Sequence, residues 1–153
     1  MTKATSVGAT IEPTIPTPAE LCKISEETEM AEVRATLAKL RKEEEENKRM
    51  RETFMSEEIT PEGIERVMAS LRRAAETGKR ELMIGQFPSS FCSDGGRAIN
   101  NLEHDWPQTL QGVAKRGYEA YEALLKPKGY KLRAQILDYP GGMLGDVGIF
   151  LLW

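Results

Sequence analysis

From Ala19 to Thr60 the chain contains neither glycine nor proline, and roughly half of these residues are charged. A stretch with no helix breaker and so many charged, helix-favouring residues is predicted to run as long helix. The remainder is built differently. From Gly78 to Trp153 lie 11 of the 13 glycines, both Trp, all four Tyr and three of the four Phe. Such a segment turns often and has rings to bury, so it is expected to form a compact unit. Its last residues, Val147–Trp153, are almost wholly apolar. The division near Gly78 therefore predicts an α+β protein: helices first, a small sheet after.

At 153 residues the chain fits one domain, or one small domain with a helical extension. The net charge of −3 is too small to point to nucleic acid or an anionic membrane surface. Residues 1–77 carry 12 basic and 16 acidic side chains, and residues 78–153 carry 9 and 8, so neither half has a strong field. The longest uninterrupted apolar run, Ile149–Trp153, is far short of the ~20 residues of a membrane span. The first residues hold one Lys and no apolar stretch, unlike a secretory signal. The two cysteines, Cys22 and Cys92, lie in different halves; with seven Met they suit a reducing cytoplasm better than a disulfide scaffold.

Residues 1–16 are Thr/Pro-rich and aperiodic, and are expected to be disordered. A helical arm over 17–77 is expected next, with helices at about 18–55 and 61–77. Thr17-Pro18-Ala19-Glu20 reads as a capping box with Pro at the first helical position. Ser25, followed by Glu26 and Glu27, offers a second start. Thr60-Pro61-Glu62 opens the next helix, and Gly78 suits its left-handed end. Within the first helix Met30, Val33, Leu37 and Leu40 step by three and four, the spacing of a coiled-coil seam. Continued, that register meets Glu44, Asn47 and Arg51, so the seam is good for about two heptads where three to four are usual. These four residues are the candidate interaction surface. A solvated amphipathic helix is the alternative reading of the same pattern.

The second half, 78–153, changes period. Leu82–Phe87 reads as a strand ended by Pro88, with a short helix expected between Ser93 and Asn101. Asp105-Trp106-Pro107 opens a helix predicted to reach Lys126, with Asp105 as its cap. Tyr130, Leu132, Ala134 and Ile136 alternate with Lys131, Arg133 and Gln135, the signature of a half-buried strand. Val147–Trp153 is apolar on both faces, which places it centrally in a three-stranded strand-helix-strand-strand sheet. One sheet face takes the Pro107–Lys126 helix. The other calls for a cover, which the helices of the first half or a second subunit would supply. Three strands and one helix are too little to stand alone, so the halves are expected to fold as one cooperative unit.

The densest polar cluster is Ser89–Arg97, followed by Asn100, Asn101, Glu103, His104 and Asp105. Ser90, Ser93, Asp94 and Arg97 are the candidate ligand-binding residues, since the segment leaves a strand toward a helix start where amides favour an anion. Cys92, His104 and Asp105 are the catalytic candidates, as a thiol–imidazole–carboxylate set. The Cys92–Arg97 spacing is one residue shorter than the phosphate cradle of thiol phosphatases. Ser93-Asp94-Gly95-Gly96 also suits a plain turn in which Asp bonds its own backbone, and that is the favoured reading of the segment. His104 is the sole histidine and the cysteines are unpaired in spacing, so no metal site is expected, and no motif implies a cofactor. Gly141-Gly142-Met143-Leu144-Gly145 lies between two strands and reads as a hairpin turn, not a phosphate loop. Arg66, Arg72, Arg73, Lys79 and Arg80 are interleaved with Glu62, Glu65, Glu76 and Glu81, which disfavours nucleic acid.

Together these features predict a non-enzymatic cytoplasmic interaction or regulatory protein that self-associates through its helical arm, with a homo-oligomer or another protein as partner and no membrane association. The alternative is a small-ligand-binding protein or thiol-dependent enzyme using the Ser89–Asp105 loop.

Overall fold

The computed structural model describes residues 13–153. The disordered tail expected over 1–16 lies outside the described residues for positions 1–12. The chain divides into two compact units, one ending at Asn47 and the other running Lys48–Trp153.

Helix α1, Pro18–Ser56, is continuous over 39 residues, about 58 Å at 1.5 Å per residue. The capping box forms as its residues dictate. Thr17 N–H donates to Glu20 Oε2 at 2.7 Å, and Thr17 Oγ1 accepts from Glu20 N–H at 3.2 Å. The second start at Ser25 goes unused, because nothing there interrupts the backbone ladder. Within the described part of the first unit every residue is exposed, so this helix has no core of its own. Among the described residues, no helix is long and apolar enough to cross a membrane.

The second unit begins with the end of α1. Helix α2, Pro61–Glu76, starts where Thr60 Oγ1 accepts from Gly63 N–H at 3.0 Å. It ends at Gly78, whose φ of +83° lets Lys79 N–H reach Ala74 O at 3.0 Å. There follow β1 (Glu81–Pro88), the short helix α3 (Arg97–Asn100), α4 (Gly112–Ala120) continued by a π-helical turn (Tyr121–Leu125), β2 (Lys131–Ile136) and β3 (Asp146–Leu152). The sheet order is β1-β3-β2, antiparallel throughout, with the C-terminal strand central. Leu151 faces Leu82 on one side and Leu132 on the other; Val147 faces Phe87 and Ile136.

Alternation on β3 decides the layers. Val147, Ile149 and Leu151 are buried, two of them at 0% exposure. Val67 and Leu71 of α2, with Tyr118 and Tyr121 from the α4 segment, pack into the same apolar clusters as these residues. Both helices therefore cover one face, and the expectation that they would take opposite faces is corrected. On the other face side chains give partial cover, and Met83 stays 42% exposed. The Arg133 guanidinium lies 4.6 Å above the Phe150 ring and donates to Glu81 Oε2 at 2.9 Å.

The helix predicted from Pro107 to Lys126 is also corrected. Trp106–Thr109 is a 3-10 turn, α4 begins only at Gly112, and the ladder slips to π spacing at Tyr121. The break has a cause at Gly112, where φ is +57° and a Cβ would sit 2.5 Å from the Phe54 carbonyl oxygen. Here the chain passes backbone-to-backbone over the end of α1. Asp105 makes no side-chain capping bond; only its carbonyl accepts, from Gln108 N–H at 3.0 Å.

Candidate functional site

The Ser89–Asp105 loop is tied down from within. Ser89 Oγ donates to Leu144 O at 3.0 Å, and Ser93 N–H to Thr109 O at 2.8 Å. Asp94 spends both carboxylate oxygens on its own turn: Oδ1 accepts from Gly96 N–H at 2.9 Å and Oδ2 from Ala98 N–H at 2.8 Å. Gly95 and Gly96 take φ of +70° and +89°, and a Cβ on Gly96 would meet that of Ser89 at 2.8 Å. Leu102 closes α3 in the left-handed region at φ +56°, with 82% of its surface exposed. Nothing in the residues from Ser89 onward signalled that a leucine would take a position where glycine is usual.

Cys92 faces the core, 5% exposed, among Phe87, Phe91 and Ile99. Burial pushes its thiol up to about 11, the charge of Asp94 adds to the rise, and a hydrogen bond with Thr109 opposes it. Such a thiol is not a nucleophile near neutrality. Ser90, Ser93, Arg97, His104 and Asp105 are all exposed. Among the described residues no hydrogen bond or ion pair joins Cys92, Arg97 and His104, and no group of three His, Cys, Asp or Glu is placed to hold a metal ion. Ser89 and Asp94 serve the loop's own closure, whereas Ser90, Ser93, Arg97, His104 and Asp105 make no side-chain hydrogen bond among the described residues.

On α1 the seam residues Met30, Val33, Leu37 and Leu40 lie on one helix face, 47–57% exposed. Their spacing of three, four and three keeps them within one stripe.

A third feature was not foreseen. A cavity of about 390 Å³ lies between α2, α4 and the inner sheet face. Val67 and Met68 form one wall, Val113 and Tyr118 the other, and Phe87 and Ile149 the floor. Glycines make the room: Gly63 at the start of α2, Gly117 within α4, and Gly85 at the bulge where β1 slips register against β3. Leu124 and Leu125 of the π-helical turn complete the rim. Arg116 ties α4 to the connection between α1 and α2, its Nη1 donating to Met55 O at 3.0 Å and Glu57 O at 2.7 Å. Charged lining residues, Glu57, Glu58 and Arg66, are exposed and lie at this opening. The walls come from positions 54 to 149, which no local pattern connects. The available signals were the glycines that interrupt otherwise helical and strand patterns at 63, 117 and 85.

No protein-family model, curated protein or solved structure matches this chain.

Proposed function

We propose that this chain is a non-enzymatic, cytoplasmic interaction or regulatory protein that self-associates through α1, in a parallel pair. The observation that carries the reading is the stripe Met30, Val33, Leu37 and Leu40, each about half exposed on a helix whose described residues before Phe54 are all exposed. Isolated helices gain little from propensity alone, and burying such a stripe against a second copy supplies the missing packing.

The flanking charges support the orientation. With Met30 and Leu37 at a positions and Val33 and Leu40 at d positions, Glu29 and Glu43 fall at g, Arg34, Arg41 and Lys48 at e. In a parallel pair Glu29 meets the Arg34 of the second copy and Glu43 its Lys48. An antiparallel pair would set like charges together. The seam spans only about two heptads, so the association is weak and concentration-dependent. Two cysteines in 153 residues, unlike the dense cysteines of a disulfide scaffold, support a reducing compartment.

Light scattering on the full chain across the micromolar range is the direct test. The expected result is a shift from monomer to dimer with concentration, weakened by salt, and a monomer throughout for Leu37→Glu with Leu40→Glu. A wild-type chain that stays monomeric over the whole range refutes the proposal.

A further inference from the structure

We infer that the cavity between α2, α4 and the sheet is a binding site for a small, uncharged, mainly hydrocarbon or aromatic molecule. Its volume of about 390 Å³ lies within the range of about 300–1,000 Å³ that small-molecule sites occupy. Its lining includes the aromatic residues Phe87, Tyr118 and Tyr121 and the aliphatic residues Val67, Val113 and Ile149. Such walls favour an apolar body, which replaces water that has few partners there.

The chemistry of the opening sets the charge of the ligand. Glu57, Glu58 and Arg66 are the charged lining residues and all three are exposed, a net charge of −1 that disfavours an anion, while the apolar side chains behind them give a charged body of either sign no counter-charge. The Tyr118 hydroxyl already donates to Glu122 Oε1 at 2.9 Å, and Thr60 Oγ1 already accepts from Gly63 N–H. A ligand without formal charge therefore leaves nothing unpaired.

The site is also built rather than incidental. Three independent departures from regular structure meet at it: the β1 bulge at Gly85, the π-helical turn at Tyr121–Leu125, and the glycine within α4. π-helical turns and β-bulges recur at functional sites, and a Cβ at Gly85 or Gly117 would meet nothing closer than 3.8 Å. The Arg116 bonds to Met55 O and Glu57 O tie α4 to the segment that carries the lining residues Glu57 and Glu58. The larger depression of about 480 Å³ on α2 is bounded by that helix alone and edged by Glu65, Arg72, Arg73 and Glu76; it encloses nothing.

Titration of the full chain with the uncharged fluorophore N-phenylnaphthylamine tests the inference. Saturable, blue-shifted emission at one probe per chain is expected. A Cβ at Gly117 would lie 3.8 Å from Ile59 Cδ1, so Gly117→Leu fills the space and should weaken the probe by at least about tenfold. Leu124, 51% exposed on the rim, gives a second variant with little risk to folding: Leu124→Trp narrows the opening and should weaken binding as well. The double variant Leu37→Glu with Leu40→Glu should bind like wild type, which separates this site from the self-association of α1. No saturable binding, wild-type affinity in both cavity variants, or loss of binding in the α1 variant would overturn the assignment.

Discussion

The Cys92 thiol shows how one buried side chain links the loop to the stability of the core. Its proton is held up to about 11 against an ordinary 9.0, first by burial and then by Asp94. The neutral form is thus the native form, and a raised pKa stabilises the fold only while the unfolded chain also keeps its proton. Stability is therefore fully present below about pH 9 and falls as pH rises toward 11, by at most about 2–3 kcal/mol. Tyr118 and Tyr121 are shifted the same way, chiefly by burial, and add to the alkaline loss. Cys92→Ala isolates the thiol. Urea unfolding at pH 7 and pH 10 should show a smaller alkaline loss in the variant than in wild type. Equal losses would mean that Cys92 carries none of the effect. In the folded protein a thiol reagent should modify exposed Cys22 and leave Cys92 until unfolding.

Among the elements, α4 separates two uses of glycine that look alike in sequence. Gly112 has φ +57° and lies against the backbone of Phe54 and Met55, where a Cβ would sit 2.5–2.8 Å from their atoms. Gly117 is helical, and its added Cβ would make an ordinary 3.8 Å contact. Gly112→Ala should therefore cost more than about 2 kcal/mol, while Gly117→Ala should gain up to about 1 kcal/mol of helix propensity. Paired denaturation curves check both signs, and a harmless Gly112→Ala would contradict the close approach. The same contrast explains what was legible beforehand. The caps at Thr17 and Thr60, the Gly78 stop, the alternating strand ending at Ile136 and the central position of Val147–Trp153 each follow from residues within a few positions. The start of α4 depends on Phe54, far away in the chain, so the Asp105-Trp106-Pro107 signal misplaced it. A two-faced apolar strand predicts two covering layers, because alternation cannot reveal that Arg133 lies over Phe150. At the candidate loop, the Asp94 turn was readable, but the inward aim of Cys92 was not. The cavity was unreadable for the same reason, since its walls meet only in the folded sheet.

At the scale of the molecule, the chain divides into one compact unit ending at Asn47 and another running Lys48–Trp153. The end of α1 belongs to the second unit's core. Phe54 is 8% exposed and its ring centroid lies 5.1 Å from Phe87 and 4.9 Å from Phe91. Removing such a ring costs about 3–5 kcal/mol, against a total of about 5–15 kcal/mol for a domain. A cut after residue 60 also takes away Met55 O and Glu57 O, leaving the Arg116 guanidinium without its acceptors. A cut after residue 47 removes neither. Two fragments should then behave very differently. Residues 48–153 should fold cooperatively with a melting temperature within a few degrees of the full chain, bind the naphthylamine probe, and remain monomeric. Residues 61–153 should lose the cooperative transition or melt far lower. Thermal circular dichroism on both, with light scattering on the first, makes the comparison. If 61–153 melted like 48–153, the aromatic trio around Phe54 would not be holding the core. If 48–153 still dimerised, the contact would lie in the sheet unit and not in the Met30–Leu40 stripe.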